Sequence, residues 1–289
     1  MRNIWLIMAV AFLLASCTNA NKKQEEQPSK IDKFEKKIND LSPEQQGGVA
    51  EINAFMKLSG ASFMPNIINN TENTNKYKGT PYLAAANIGI YTADVLYTAA
   101  YKENERAKQS YYAAKELADF IGIGSVFDEI FKKRLEDGLT EDDSVMHKLA
   151  KALNESKTVL KDKDQLRLFT AMTLGSHIEK LYIINNIIFN YNEDIPEDVK
   201  LLVLRQSIMV LANQIKQAVK LTELFKTYKP KTEKANVVYE KMKEISTIYE
   251  PMHLEDNIQN LDPKMIFENE ELLKGFEKVK EVRSMLIME

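Results

Sequence analysis

The chain is poor in several residue types, and each shortage excludes a kind of structure or chemistry. Cys17 is the only cysteine, so the chain cannot form an internal disulfide or a cysteine-rich metal centre. Arginine occurs at only six positions and the formal net charge is −3, which provides no basic surface for nucleic acid. Glycine (10) and proline (8) are few among 289 residues, and the prolines lie at predicted helix boundaries, which favours long helices.

Long apolar runs and nucleophile motifs are also missing from most of the chain. No stretch of about 18 apolar residues follows Cys17, so we expect no membrane-spanning helix there. The sequence contains neither a Gly-x-Ser-x-Gly elbow nor a phosphate-binding Gly-x-x-x-x-Gly-Lys loop. Hydrophobic residues make up 44% and charged residues 28%, values typical of a globular domain. The composition therefore favours a folded, non-catalytic body for which no cofactor or metal is expected.

The amino-terminal residues have the pattern of an export signal. Arg2 supplies one positive charge, and an apolar stretch too short to span a bilayer follows it. Residues 14–17 read Leu-Ala-Ser-Cys, which resembles the lipobox of bacterial lipoproteins. The resemblance implies that residues 1–16 are a signal peptide and that Cys17 becomes the first mature residue, joined to the membrane through acyl chains such as palmitate. The alternative is an ordinary cleaved signal followed by an unrelated cysteine.

Residues 17–30 predict a flexible tether behind this cysteine, because they are polar and charged and cannot bury a core. Residues 22–26 (Lys-Lys-Gln-Glu-Glu) resemble the export signal of surface lipoproteins of the Bacteroidota, although a solvated linker would have the same composition. Thr18 is not an aspartate, and by the same analogy this favours the outer membrane over the inner one. Whether the body faces the periplasm or the exterior is left open.

Residues 31–289 predict one all-α domain, an antiparallel multi-helix bundle of about ten helices. No run of alternating β-branched and polar residues predicts a strand. The expected helices span approximately residues 31–40, 43–59, 80–102, 104–121, 125–137, 141–160, 163–192, 197–227, 231–249 and 263–288. The long connection at residues 60–79 is rich in asparagine and is expected to be a mobile or functional surface loop.

Two of the expected helices, at residues 84–101 and 168–191, are apolar on nearly all sides and should occupy the centre of the bundle. Each contains an acid followed three residues later by tyrosine, with a leucine directly before the tyrosine: Asp94 and Tyr97 in the first, Glu179 and Tyr182 in the second. The fold could therefore consist of two pseudo-repeated halves. Two central helices that each need an acid and a tyrosine would give the same pattern.

His177 lies in a segment, residues 175–179, that reads Gly-Ser-His-Ile-Glu. This segment is one residue short of the Gly-x-His-x-x-Glu motif of imelysin-like proteins, which are exported helical proteins associated with iron. Helix residues two apart point about 200° apart, so His177 and Glu179 cannot both reach one ion. We therefore expect His177 to be a partly buried histidine and not a metal ligand.

Asp94 and Glu179 are the better candidates for a ligand-binding site, with His177, Tyr97 and Tyr182 nearby in sequence. A buried carboxylate must find a partner or take up a proton. If the two central helices cross at these positions, the acids could form a cation site or an acid/base pair. The simpler alternative is that nearby tyrosines donate hydrogen bonds to two structural acids.

Ser144 follows Asp143 and precedes Val145, a triplet that resembles the O-glycan acceptor of exported Bacteroidota proteins. This makes Ser144 a candidate modification site.

Residues 87–97, 117–123 and 175–182 are similar to a group of uncharacterised helical lipoproteins of the Bacteroidota. The resemblance implies the location and the all-α body but no activity. The leading prediction is a lipid-anchored cell-envelope protein of the outer membrane that binds a protein or small-molecule partner or joins an assembly. The alternatives are a small-ligand or metal-binding protein that uses the interior acids, or an envelope hydrolase.

Overall fold

The computed structural model describes residues 61–131, 151–152, 155–161, 165–190, 197–252, 254 and 268–288. Helical residues account for 84% of this part of the chain, which contains no strand, so the prediction of an all-α fold is confirmed. The helices are α1 (Thr74–Tyr77), α2 (Pro81–Ala100), α3 (Asn104–Phe120), α4 (Gly124–Phe131), α5 (Leu166–Phe189), α6 (Glu197–Tyr228), α7 (Glu233–Tyr249) and α8 (Glu270–Ile287). Residues 155–161 are also helical, and 3₁₀ turns span Thr71–Asn73 and Glu250–Met252.

Three helices begin at polar caps that accept a hydrogen bond from a backbone N–H in the first turn. The Thr80 hydroxyl accepts from Leu83 at 3.1 Å, with proline at the first helical position of α2 as predicted. Thr232 caps α7 in the same way at 3.2 Å, and the Asn269 side chain caps α8 at 3.0 Å. These local interactions explain why the chain enters each helix where it does.

The predicted helix starts agree with the structure at α3 and differ from it at α4 and α8. Helix α3 begins at Asn104, the expected first residue. Helix α4 begins at Gly124, one residue before the expected start at residue 125. The last helix does not run unbroken from residue 263, because residues 268 and 269 are not helical and Asn269 caps a new start.

The centre of the bundle is formed by α2 and α5, as their apolar sequences predicted. Every residue of α2 from Leu83 to Thr98 is buried, and so are twenty of the 24 residues of α5. A β-carbon at Gly89 would lie 1.9 Å from the Met172 carbonyl oxygen, and one at Gly175 would lie 1.9 Å from that of Ala86. The two backbones therefore touch at their crossing, which only glycine permits.

The other helices surround this pair. Helix α3 packs on α2, α6 and α8 pack on α5, and α7 packs on both α6 and α8. The amino ends of α2, α5 and α7 meet the carboxyl end of α8 at one end of the bundle. The two central helices therefore run in the same direction, while α8 runs against them.

The connection before α2 is not the surface loop expected from its composition. Within residues 61–79, Ile67, Asn69 and Tyr77 are buried, with exposed fractions of 3% or less, and α1 lies in its second half. Asparagine is frequent in loops because its side chain can replace backbone hydrogen bonds. Here the same property lets the segment enter the interior and satisfy buried polar groups, so composition alone was misleading.

Among the described helices, none is long and apolar enough to cross a membrane. The expected signal peptide, the tether, Cys17, Ser144 and the predicted helices at 31–40 and 43–59 lie outside the described residues.

Candidate functional site

The crossing of α2 and α5 brings Asp94 and Glu179 together in the interior, and α8 adds Arg283. Both acids are 0% exposed and the arginine is 7% exposed. The Arg283 guanidinium donates to both carboxylate oxygens of Glu179, from Nε at 2.7 Å and from Nη2 at 2.9 Å. Such a two-point pair is the strongest form of ion pair available to an arginine. We call these three residues the acid–arginine cluster.

The Asp94 carboxyl has a raised pKa in this cluster. Burial raises the pKa of its carboxyl well above the usual range, and the neighbouring Glu179 charge raises it further. Arg283 and the Asn69 backbone N–H oppose the rise. The N–H donates to Oδ2 at 3.0 Å, while Oδ1 has no hydrogen-bond partner within the described residues. The raised pKa favours the protonated form of Asp94 beside Glu179.

Arg283 also donates a hydrogen bond to the 61–79 segment and packs against an aromatic ring of α5. Its Nη2 donates to the Ile67 carbonyl at 3.0 Å, and its guanidinium carbon lies 4.2 Å from the centre of the Tyr182 ring. The Glu179 charge raises the pKa of Arg283 against the opposing effect of burial. The arginine therefore remains charged and is the positive partner of the buried Glu179 carboxylate.

Sequence reasoning missed Arg283, although a signal was present. The apolar stripe of α8 includes Phe276, Val279 and Leu286, and steps of three and four residues along that stripe include position 283. An arginine on the buried face of a helix needs an acid on the helix it covers. Glu179 was the available candidate on α5.

The expected tyrosine partners of the two acids are not the ones found. The Tyr97 hydroxyl accepts a hydrogen bond from the Met64 N–H at 2.8 Å, and Tyr91 donates to the Asn70 carbonyl at 2.9 Å. Tyr182 contributes its ring and not a hydroxyl hydrogen bond to the cluster. The tyrosines on α2 hold the 61–79 segment because its backbone groups have no partner within a helix.

A second network of polar side chains connects the 61–79 segment to both α2 and α8. The Asn69 side chain donates to Asn87 at 3.3 Å and accepts from the Tyr77 hydroxyl at 3.1 Å. Asn87 in turn donates to the Leu83 carbonyl and, at 2.9 Å, to the Leu286 carbonyl. The polar lining expected around Asn87 exists, but its hydrogen bonds are made within the protein.

His177 lies on the opposite side of α5 from Glu179, as the helical geometry predicted. It donates a hydrogen bond to the Gln214 carbonyl of α6, and burial lowers the pKa of the imidazole to about 3, with help from the Lys180 charge. Its Nε2 has no partner among the described residues. Burial also lowers the pKa of Lys180 to about 8. We call His177 and Lys180 the histidine–lysine pair.

The hydrogen bonds of the acid–arginine cluster are made within the protein. Glu179 accepts two of them from Arg283, and a metal cation would meet a fixed positive charge there. Within the described ranges, no group of three or more histidine, cysteine or acidic side chains gathers as metal ligands would. The cluster joins three distant parts of the chain: the 61–79 segment, the central helices and α8.

No known family model matches the sequence, and no curated protein or solved structure shows significant similarity to it.

Proposed function

We propose that this protein is a lipid-anchored cell-envelope protein of the outer membrane whose helical body binds a partner or joins an assembly without catalysis. The lipobox at residues 14–17 and the polar tether behind Cys17 support the anchor. The resemblance of residues 87–97 and 175–182 to helical lipoproteins of the Bacteroidota supports the same location. The body and the anchor are separate claims and need separate tests.

The observation that supports a non-catalytic body is the complete burial of the two acids. General acid/base work needs a carboxyl that substrate can reach, whereas Asp94 and Glu179 are 0% exposed. Asp94 accepts a hydrogen bond from the Asn69 N–H, and Glu179 accepts two from Arg283. A hydrolase or a metal-binding protein using these acids would have to separate the pair from Arg283 first.

The anchor is tested on the protein isolated from its native membrane. Intact mass should equal the chain from Cys17 onward plus a diacylglyceryl group and any amide-linked acyl chain, and Cys17→Ser should abolish both the acyl mass and the membrane association. A native product that retains residues 1–16, or that starts elsewhere without fatty acid, would remove this part of the proposal. The same spectrum tests Ser144, because a glycan would add further mass that Ser144→Ala removes.

The non-catalytic body is tested with Asp94→Asn, which keeps the shape of the carboxyl but cannot transfer a proton. Mild crosslinking in intact cells followed by co-purification should recover the same partners for the parent chain and for Asp94→Asn. Loss of a hydrolytic activity in Asp94→Asn, with folding unchanged by circular dichroism, would instead support the hydrolase alternative.

A further inference from the structure

A cavity of about 570 Å³ lies at the end of the bundle where the amino ends of α2, α5 and α7 meet the carboxyl end of α8. This volume is within the range of about 300–1,000 Å³ found for small-molecule sites. The cavity is distinct from the acid–arginine cluster, since Asp94, Glu179 and Arg283 do not line it. Nothing in the sequence pattern pointed to it, because four separate helix ends build it.

The interior of the cavity is apolar. Its walls include Leu83 of α2, Leu168 of α5, Val238 of α7 and Leu286 of α8. A surface of this kind favours a hydrocarbon chain, because each methylene moved from water into it is stabilised. Polar small molecules such as sugars or nucleotides would find too few hydrogen-bond partners there.

The mouth of the cavity is positively charged. Lys76, Arg167 and Lys234 line it and are solvent-exposed, and none has an ion-pair partner within the described residues. No carboxylate side chain lines the cavity in the described part of the chain. The amino ends of α2, α5 and α7 add partial positive charge, since helix dipoles favour anions at that end. The mouth therefore complements a negative head group.

We infer that this cavity binds a long-chain fatty acid, with the hydrocarbon chain against the apolar walls and the carboxylate near Arg167 and Lys234 at the mouth. The inference deepens the proposed function by giving the ligand class of the binding body, and it rests on that function only in treating the body as a binding module. It does not depend on the anchor, so the two can fail separately.

Binding is measured on the full chain carrying Cys17→Ala, which excludes acyl chains attached at that residue. Calorimetric titration with hexadecanoic acid should give one site per chain, and binding should weaken as salt rises, because ions screen the exposed cations. Hexadecan-1-ol, which has the same chain without the charge, should bind at least about tenfold more weakly. Equal affinity for the acid and the alcohol, or no binding of the acid, would overturn the inference.

Variants at the mouth separate this site from adsorption elsewhere. Arg167→Glu with Lys234→Glu should lower affinity for the acid at least about tenfold, whereas Lys274→Glu, an exposed charge reversal on α8 (side chain 59% exposed), should not. Unchanged affinity in the double variant would contradict the inference.

A blocking variant provides the last check. Gly79 lines the cavity, and a β-carbon there would meet only the Lys76 carbonyl oxygen at an ordinary 3.6 Å. Gly79→Trp should therefore fold normally but obstruct the cavity, while Gly79→Ala should bind as the parent does. Full affinity in Gly79→Trp would show that the fatty acid binds elsewhere and would contradict its assignment to this cavity.

Discussion

Helix α5 buries ionisable side chains on two opposite faces, and only one face provides a partner of opposite charge in the described part of the chain. On one face Glu179 pairs with Arg283, beside the Asp94 carboxyl of α2, whose pKa is raised. On the other face His177 and Lys180 have no carboxylate partner in the described part of the chain, and burial lowers the pKa of each. The first face keeps its charges by pairing them, whereas the second is more stable when its groups are neutral.

This difference between the two faces predicts how each buried group affects the stability of the fold. Removing one member of a buried ion pair leaves an uncompensated charge, so a paired face is sensitive to substitution. An unpaired base opposes folding at any pH at which the unfolded chain is protonated and the folded one resists protonation. The acid–arginine cluster should therefore respond mainly to mutation, and the histidine–lysine pair mainly to pH.

The largest expected effect is that of Arg283→Met. It leaves the Glu179 charge buried and the Ile67 carbonyl without its donor, so we expect unfolding free energy to fall by about 3–5 kcal/mol. Urea denaturation measures this loss. Lys274→Met on the same helix, where the side chain is 59% exposed, should change stability by less than about 0.5 kcal/mol. Adding Glu179→Gln to Arg283→Met should restore part of the lost unfolding free energy. If the losses of the two single variants simply add in the double variant, the two side chains do not stabilise each other as a pair.

His177 should make stability fall at acid pH. The pKa of its imidazole lies at about 3 in the folded protein and at its ordinary 6.5 when unfolded, so between these values only the unfolded chain takes up the proton. Stability therefore falls as pH drops below 6.5, by about 3 kcal/mol at pH 4. The His177→Gln variant should lose less stability than the parent between pH 6.5 and pH 4, as measured by urea titrations at several pH values. Parallel profiles for the two chains would show that His177 is accessible to protons in the fold.

Lys180 should oppose folding near neutral pH. Its amine has a pKa of about 8 in the folded protein against 10.5 when unfolded, so stability should rise as pH increases from 8 to 10.5. Lys180→Met keeps the apolar stem without the charge and should stabilise the fold at pH 7 by about 2 kcal/mol. The exposed Lys226 is the matched control, because Lys226→Met should change little. A destabilised Lys180→Met would mean that the amine has a favourable partner.

Asp94→Asn tests the protonation of the Asp94 carboxyl. Its amide oxygen can accept from the Asn69 N–H as Oδ2 does, so we expect the variant to be at least as stable as the parent near neutral pH, where the parent must hold a proton that its unfolded chain releases. The parent has a raised Asp94 pKa, so its stability should fall relative to Asp94→Asn as pH rises above the unfolded value. The difference between the two urea midpoints across pH measures this. A large loss in Asp94→Asn at pH 7 would indicate that Asp94 is ionised in the fold.

Several features followed from local patterns in the sequence. The apolar composition of α2 and α5 predicted their central position because a helix without a polar face must be covered on all sides. Thr80 and Pro81 predicted the start of α2 because capping depends only on adjacent residues. The opposite orientation of His177 and Glu179 followed from helical periodicity. The starts of α4 and α8 were missed by one or more residues, because several nearby polar residues could have served as caps.

The partners of Asp94 and Glu179 could not be derived in the same way. Arg283 lies 104 residues from Glu179 in the chain, and the Asn69 N–H belongs to a segment that composition placed at the surface. A tyrosine was expected because tyrosines were close in sequence, whereas the actual donor depends on which helix covers the crossing. The fatty-acid cavity is a stronger case, since its walls come from four helix ends that share no local motif.

Sequence alone determined that this chain is helical, that two of its helices are buried, and that two acids must be satisfied inside it, because periodicity and hydrophobicity act over a few residues. The tertiary structure decided that Arg283 pairs with Glu179, that the 61–79 segment enters the core, and that an apolar cavity opens at one end. These depend on how distant helices cross, and the glycines at positions 89 and 175 permit that crossing without specifying what comes to lie around it.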